Sequence, residues 1–332
     1  MSVIVVDAMG GDNCPDCNVE GAIDAVKESE SLVVVLTGPE NKLKEMLTGR
    51  GYEGDRIRII NADEVISTEE SPVMAIRKKK GSSLVKGISE LKEGRADAFV
   101  SAGSSGAVLA AGQLLIGRLN GVLRPPLGSL IPTKKGVSFF LDMGANVDAS
   151  PEWLLQFADM GTIYMREVMG ISSPEVKLLN IGLEEEKGNK LTKEANELMK
   201  ADSRINYKGY CEAREVPFGA ADVIVADAFT GNAVIKTFEG TAGLFLSLVK
   251  QVFKSSVLTK LGALLVMKPF KETLKSFDTS TYGGAPLLGI KSPVFKCHGN
   301  ATRKEIRNAI LQADSYVEKG VNEIIAKAFE KV

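Results

Sequence analysis

Short runs of apolar, largely β-branched residues recur along the chain, at 3–6, 32–36, 57–60, 98–101, 137–141, 176–181 and 223–226. Stretches with helical periodicity lie between most of them, at 19–27, 82–92, 105–119, 151–169 and 189–200. Strands that read as unbroken apolar runs are buried on both faces, so the alternation predicts an α/β fold with a mostly parallel sheet covered by helices. No repeat, low-complexity segment or Pro/Gly/Ser linker divides the chain. One continuous unit over residues 1–332 is expected, with two lobes around a cleft as its variant.

The loops that follow these strands form a set. They read DAMGGD (7–12), SAGSSGA (101–107), LDMGAN (141–146), NIGLEEEKGN (180–189) and DAFTGN (227–232). A single glycine-rich turn says little, because glycine also ends elements for steric reasons. Several at equivalent strand ends predict exposed backbone N–H groups that converge on an anion, at the place where α/β proteins bind ligands. The G-x-G-x-x-G spacing of a dinucleotide site is absent. Gly10, Gly11, Gly103, Ser104, Ser105, Gly106, Asn146 and Gly231 are the expected loop contacts.

Cations stand close to these loops. Arg77 and Lys79 lie in a basic run before Ser82 and Ser83, where Ser82 is expected to cap a helix. Lys187 sits in the 180–189 loop, and Lys236 follows Asn232 by one helical turn, on the same face. His298 is the single histidine, placed at another strand-to-helix turn, where an imidazole can donate to a phosphate or an oxyanion. Asp7, Asp12 and Asp227 would raise the energy of a bound phosphate by like-charge repulsion. They are expected instead to accept hydrogen bonds from neighbouring loops and aim the groups that do touch it. No Ser-His-Asp order, G-x-S-x-G elbow or H-E-x-x-H is present.

Charge and cysteine content narrow the classes further. The 332 residues carry 41 basic and 42 acidic side chains, a net charge of -1, so no global field attracts nucleic acid. The chain opens on a strand rather than a leader, and it has no apolar stretch long enough to span a bilayer. Both point to the cytoplasm. Cys14 and Cys17 form a C-x-x-C that is read as a pair of reduced thiols, since no second such pair completes a zinc site. No metal or cofactor is expected.

The segment 253–277 differs from the rest. Val257, Leu258, Leu261, Leu264, Leu265, Met267, Phe270, Leu274 and Phe277 supply apolar surface, and lysines outnumber Glu272. Pro269 is expected to break it into a helical hairpin. A basic amphipathic hairpin suits an anionic membrane surface or a partner subunit, and the two uses are compatible.

Taken together, these residues resemble the PlsX family, the bacterial phosphate acyltransferases of phospholipid synthesis. The resemblance runs nearly end to end, through the loops above and through LRPPL (123–127), DAFTGNAVIKTFEG (227–240), YGGAPLLG (282–289) and HGNA (298–301). This chain has Ser104-Ser105 where the family has Asn-Thr, Ala228 where it has Gly, and Asn300-Ala301 where it has Ser-Ser. Its C-x-x-C is also not a family feature. The resemblance implies a three-layer α/β/α Rossmann-like fold, like the isocitrate and isopropylmalate dehydrogenases and similar to phosphotransacetylases. It implies a homodimer that converts fatty acyl–acyl carrier protein and inorganic phosphate to acyl phosphate and free carrier protein. A membrane glycerol-3-phosphate acyltransferase would take the product, at the inner face of the cell membrane, and Leu258, Leu261, Leu264 and Leu265 would touch that membrane. Lys187, Asn232 and Lys236 would hold phosphate, His298 would donate to the oxyanion or leaving thiolate, and Gly284 would join the phosphate loops. The rival readings are a dehydrogenase of the same fold, for which Asp222 and Asp227 are available but arginines are sparse, and a non-catalytic membrane scaffold.

Overall fold

The computed structural model describes residues 1–275 and 279–330. Ser276 and Phe277, the end of the hairpin segment, lie outside the described residues. In chain order the strands are β1 (Ser2–Asp7), β2 (Leu32–Gly38), β3 (Ile57–Asn61), β4 (Ala98–Ser101), β5 (Gly128–Thr133), β6 (Gly136–Leu141), β7 (Glu175–Asn180), β8 (Asn206–Glu212), β9 (Val223–Val225), β10 (Ala285–Leu287) and β11 (Val294–Lys296). They form two sheets, ordered β10-β11-β4-β1-β2-β3 and β5-β6-β9-β7-β8. The fold is α/β, as expected from the alternation, and each sheet is mostly parallel. In the first, only β10 runs antiparallel to its neighbour, and in the second, β6, β9, β7 and β8 pair in parallel.

The chain divides into two compact units. Unit 1 comprises Met1–Ser129, Asp159–Ser173 and Ser280–Val332, and unit 2 comprises Leu130–Ala158 and Pro174–Thr279. Unit 1 is built around the continuous apolar strands β1, β2 and β4, with Phe99, Phe295 and Tyr316 buried against them. Two of its helices, Asp16–Glu28 and Arg303–Glu318, lie so close that a Cβ on Gly21 would sit 2.7 Å from Ile306 Cγ2. The Arg303 guanidinium closes the contact with a fork onto Asp24 at 2.5 and 2.6 Å, and so holds the Asp24 carboxyl below the usual carboxylate range. Thr302 and Glu305 form a capping box that starts the second of these helices. In unit 2, Phe140, Leu179, Ile224, Val216 and Ile235 form the core.

Two local expectations need correction. The helical pattern of 105–119 is helical over 105–116, an α-helix at Ser105–Ala111 that widens into a π-helical turn over Gly112–Ile116, and it stops short of 119. Gly112 is held against β10, where a Cβ would meet Leu287 Cδ2 at 2.8 Å, and Gly117 then takes a positive φ that ends the helix. The hairpin turn is also elsewhere. Pro269 lies inside the helix Val257–Lys275, and the reversal falls at Ser255 and Ser256, after the long helix Ala228–Lys254. The serine pair makes the better stop because Ser256 and Thr259 exchange backbone-to-side-chain hydrogen bonds that cap the second helix. Phe253 and Phe270 stack edge to face at 5.9 Å across the two arms.

Along the outer arm Leu258, Leu261, Leu264 and Leu265 are all exposed, Leu258 by 81% and Leu265 by 83%. Among the described residues no helix is long and apolar enough to cross a membrane. Proline inside a helix removes one hydrogen bond and costs about 3 kcal/mol relative to alanine. Pro269→Ala is therefore expected to raise the thermal midpoint of the hairpin's local unfolding, read by hydrogen exchange at 257–275. Unchanged protection there would show that the proline strains nothing.

Candidate active site

In unit 1 the site begins with Asp7, the last residue of β1, which is almost fully buried. Ser101, which ends the neighbouring strand β4, donates its hydroxyl to Asp7 Oδ2 at 2.7 Å, and the Met9 N–H donates to Oδ1 at 3.2 Å. The Gly103 N–H in turn donates to Ser101 Oγ at 3.0 Å. Burial pushes the Asp7 carboxyl above its usual range, against hydrogen bonds from Ser83, Ser101, Met9 and Gly10 that pull it down. Gly10 is wedged between these groups: a Cβ there would lie 2.6 Å from Asp7 Oδ2 and 2.7 Å from the Gly103 nitrogen. Gly11 has φ of 98°, and Asp12 donates its N–H to the Gly299 carbonyl at 2.7 Å. The loops at 7–12, 101–106 and 298–301 are thus one connected layer at the carboxyl ends of β1, β4 and β11.

Two side chains of this layer carry no motif and escaped the sequence reading. Asn18, one turn into the first helix, is buried and donates to the carbonyls of Asp7, Ala8 and Gly10 at 2.9–3.2 Å. Lys296 is buried in register with Ser101, and its ammonium donates to the Cys297 carbonyl. A lysine inside the apolar run VFKC was the available signal. His298 is exposed at the turn after β11. Ser82 caps the helix Ser83–Lys92, accepting from the Val85 N–H at 3.4 Å and donating to the Lys79 carbonyl at 2.7 Å, so its hydroxyl is occupied. Lys79 pairs with Glu70 at 2.7 Å, while Arg77 points to solvent. Gly106 lies against Pro72, and the Gly284 N–H donates to Gln312 Oε1 at 2.8 Å. No disulfide joins Cys14 and Cys17, and burial, reinforced by Asp7, pushes the Cys14 thiol up.

Unit 2 repeats the device with a different aspartate. Asp142, after β6, is fully buried; its Oδ1 accepts the N–H groups of Gly144 and Ala145 at 3.1 and 3.0 Å. Its Oδ2 accepts the Asn146 N–H and the Asn146 Nδ2 at 2.9 and 2.7 Å. Asn146 passes this order on, since its carbonyl takes the Ala228 N–H at 3.0 Å. The helix Ala228–Lys254 starts so close to this loop that a Cβ on Gly231 would sit 2.0 Å from the Asp142 carbonyl oxygen. Asp227 caps that helix, accepting the Thr230 N–H and hydroxyl at 2.9 and 2.7 Å. Asn232 and Lys236 are exposed one turn apart, and Lys236 pairs with Glu239 at 2.8 Å. Lys187 pairs with Glu184 at 3.3 Å. Asn180 ties the 180–189 loop back on itself by donating to the Gly182 and Lys187 carbonyls, both at 3.1 Å. Between this loop and Asp227 opens a cavity of about 680 Å³.

The expected residues therefore fall into two groups. Asp7, Gly10, Gly11, Asp12, Arg77, Lys79, Ser82, Ser83, Gly103, Ser104, Ser105, Gly106, Gly284 and His298 belong to unit 1, and Asn146, Lys187, Asp227, Gly231, Asn232 and Lys236 to unit 2. Among solved structures, the chain is similar to a phosphotransacetylase from Streptococcus pyogenes, with a TM-score of 0.62 at 17% identity, covering 95% of this chain and 94% of that one. It is also similar to a branched-chain phosphotransacylase from Enterococcus faecalis, with a TM-score of 0.56 at 12% identity, covering 96% and 100%. The fold is that of the phosphotransacylases.

Sequence narrows the class to a family. Residues 2–324 match the sequence model of the family described as fatty acid synthesis protein. The chain is 46% identical over 330 residues to a phosphate acyltransferase of Clostridium botulinum, covering 99% of each, and 46% identical over 324 residues to one of Alkaliphilus oremlandii, covering 98% and 96%. The chain belongs to this family, the PlsX phosphate acyltransferases, and is an enzyme.

Two outcomes test the site's architecture. Gly231→Ala must push helix and loop apart, and a loss of about 2–3 kcal/mol in denaturant unfolding is expected; parent-like stability would contradict the close approach. The Asp7 carboxyl, with its pKa raised by folding, binds more protons folded than unfolded, so it makes the parent less stable as pH rises from about 3.8 to the raised value. The stability of Asp7→Asn relative to the parent should accordingly climb across that window and level off above it. A pH-independent difference between the two unfolding curves would refute a raised Asp7.

Proposed function

We propose that this enzyme transfers the fatty acyl group of an acyl–acyl carrier protein thioester to inorganic phosphate, releasing acyl phosphate and the free carrier thiol for phospholipid synthesis. The observation that carries the reading is the likeness to phosphate acyltransferases along nearly the whole chain. The chemistry asks little of side-chain nucleophiles, in keeping with the missing serine and metalloprotease motifs. A phosphate oxygen attacks the thioester carbonyl, the C–O bond forms, and the carbonyl electrons move to oxygen. Collapse of that tetrahedral species breaks the C–S bond, and the departing thiolate takes a proton. The protein must hold phosphate in line and stabilise the oxyanion.

In unit 2 we assign phosphate to Lys187, Asn232 and Lys236. The two lysines are held by exposed glutamates, and exposed pairs of this kind contribute at most about 1 kcal/mol, so a phosphate dianion can displace either partner. In unit 1 the layered loops contribute N–H groups, Asp7 aims them, and His298 donates to the oxyanion or the leaving thiolate. Lys236→Ala and His298→Ala are each expected to lower turnover about 100- to 1,000-fold with folding intact. Acyl phosphate formation within a few-fold of the parent would remove these assignments.

The exposed leucines of Val257–Lys275 are assigned to an anionic membrane surface, which would bring acyl phosphate to a membrane glycerol-3-phosphate acyltransferase. The enzyme is then cytoplasmic, peripheral to the membrane, and a homodimer. Leu261→Glu with Leu265→Glu should abolish flotation with anionic liposomes while leaving turnover on soluble substrates unaltered. Flotation equal to the parent's would exclude this contact.

A further inference from the structure

We infer that the cavity of about 680 Å³ in unit 2 holds the acyl chain of the substrate. The inference rests on the phosphate acyltransferase reading and adds to it a site that the phosphate chemistry does not require. The cavity lies at the carboxyl ends of β7, β8 and β9, so it opens on the loops where Lys187 and Asp227 stand. Its volume is within the range of about 300–1,000 Å³ usual for small-molecule sites.

The state of the lining groups selects the ligand. Leu154, Leu178, Leu179, Ala226 and Val234 supply an apolar wall. Several of the polar side chains around it are already engaged with each other or with backbone. Both Asn180 amide hydrogens go to carbonyls of its own loop, and the Thr230 hydroxyl goes to Asp227. The Thr192 hydroxyl is shared between Asn180 and the Asn189 carbonyl. A polar ligand would have to break these bonds, and groups left unpaired on burial are costly. A hydrocarbon chain leaves them in place and gains from the apolar wall. Ile181, which lines the cavity, is a large apolar side chain left exposed, and Leu183 of the same loop and Phe229, two residues after Asp227, are exposed as well. Single exposed apolar residues are ordinary, but their grouping on ligand-facing loops fits the entry of an apolar chain.

Two other cavities among the described residues fit less well. One of about 490 Å³ in the same unit is lined by Lys135, Lys177, Arg214 and Glu215, with Phe218 as its one large apolar side chain, too little to enclose a hydrocarbon chain. One of about 420 Å³ in unit 1 lies between the helix Glu40–Gly49 and β3, away from the carboxyl-end loops that carry the site residues.

Val234 is the residue to vary, because it lines the cavity and has no part in the phosphate chemistry. Val234→Trp fills the cavity and Val234→Ala enlarges it. Each methylene that keeps its apolar contact contributes roughly fourfold. Blocking more than one of them should lower kcat/KM for palmitoyl–carrier protein relative to octanoyl–carrier protein by about tenfold or more. Val234→Ala should shift preference the other way, raising stearoyl over octanoyl, and it keeps the test informative if the tryptophan variant does not fold. A chain-length preference unmoved by either variant overturns the inference. Palmitate binding, followed by titration calorimetry, separates the two layers of the argument. A parent that makes no acyl phosphate at any chain length overturns the reaction, whereas palmitate affinity unaffected by filling or enlarging the cavity overturns the acyl site itself.

Discussion

A buried carboxyl group at the end of a parallel strand is the interaction on which the rest of the structure depends. In unit 1 it is Asp7, which fastens β1 to β4 through Ser101 and thereby fixes where Gly10 and Gly103 lie. In unit 2 it is Asp142, which gathers the N–H groups of three successive residues and the amide of Asn146. Both carboxyls face hydrogen-bond donors of their own protein. Such an arrangement shapes loops at a strand end without a large apolar side chain to brace them, and it leaves glycines as the only residues that fit. Gly10 and Gly231 are close approaches of this kind, whereas Gly11 serves by its positive φ.

Much of this was legible before any coordinates. The β-branched runs became β1, β2, β4, β6, β7 and β9 because central parallel strands are buried on both faces, and the sequence of such strands is necessarily apolar. Of the edge strands, β3 was legible in the run at 57–60, whereas β5, β8 and β10 were not. β8, with the mixed sequence NYKGYCE, is half exposed, and β5 carries Pro132, which an edge strand tolerates. The hairpin's composition was readable but its turn was not. Proline is a strong local signal, yet the Ser255–Ser256 stop and the cap at Thr259 decide where the chain reverses.

The site was legible as loops and only partly as side chains. Motif spacing identified the glycine turns and Asp7, since each lies where a strand ends. Asn18 acts on the loop after β1 and Lys296 lies in register with Ser101 of β4, and periodicity carries no trace of such contacts. Asp142 stood within the LDMGAN loop but carried no signal beyond the glycine and asparagine beside it. The lysines pose the converse problem. Lys79, Lys187 and Lys236 were singled out for their charge, and each is paired with a glutamate in the structure. The assignment of Lys187 and Lys236 to phosphate rests on the ease with which solvent-facing pairs exchange partners, rather than on a preformed cradle.

The central claim is that phosphate itself attacks the thioester, with no acyl group passing through the protein. Isotope exchange tests it directly. Acyl–carrier protein is incubated with the enzyme and isotopically labelled free carrier protein, with and without phosphate. Direct attack predicts no label in acyl–carrier protein until phosphate is supplied, because only acyl phosphate can return the acyl group to a thiol. A covalent acyl-enzyme would exchange the two carrier proteins without any phosphate, and that result would contradict the account.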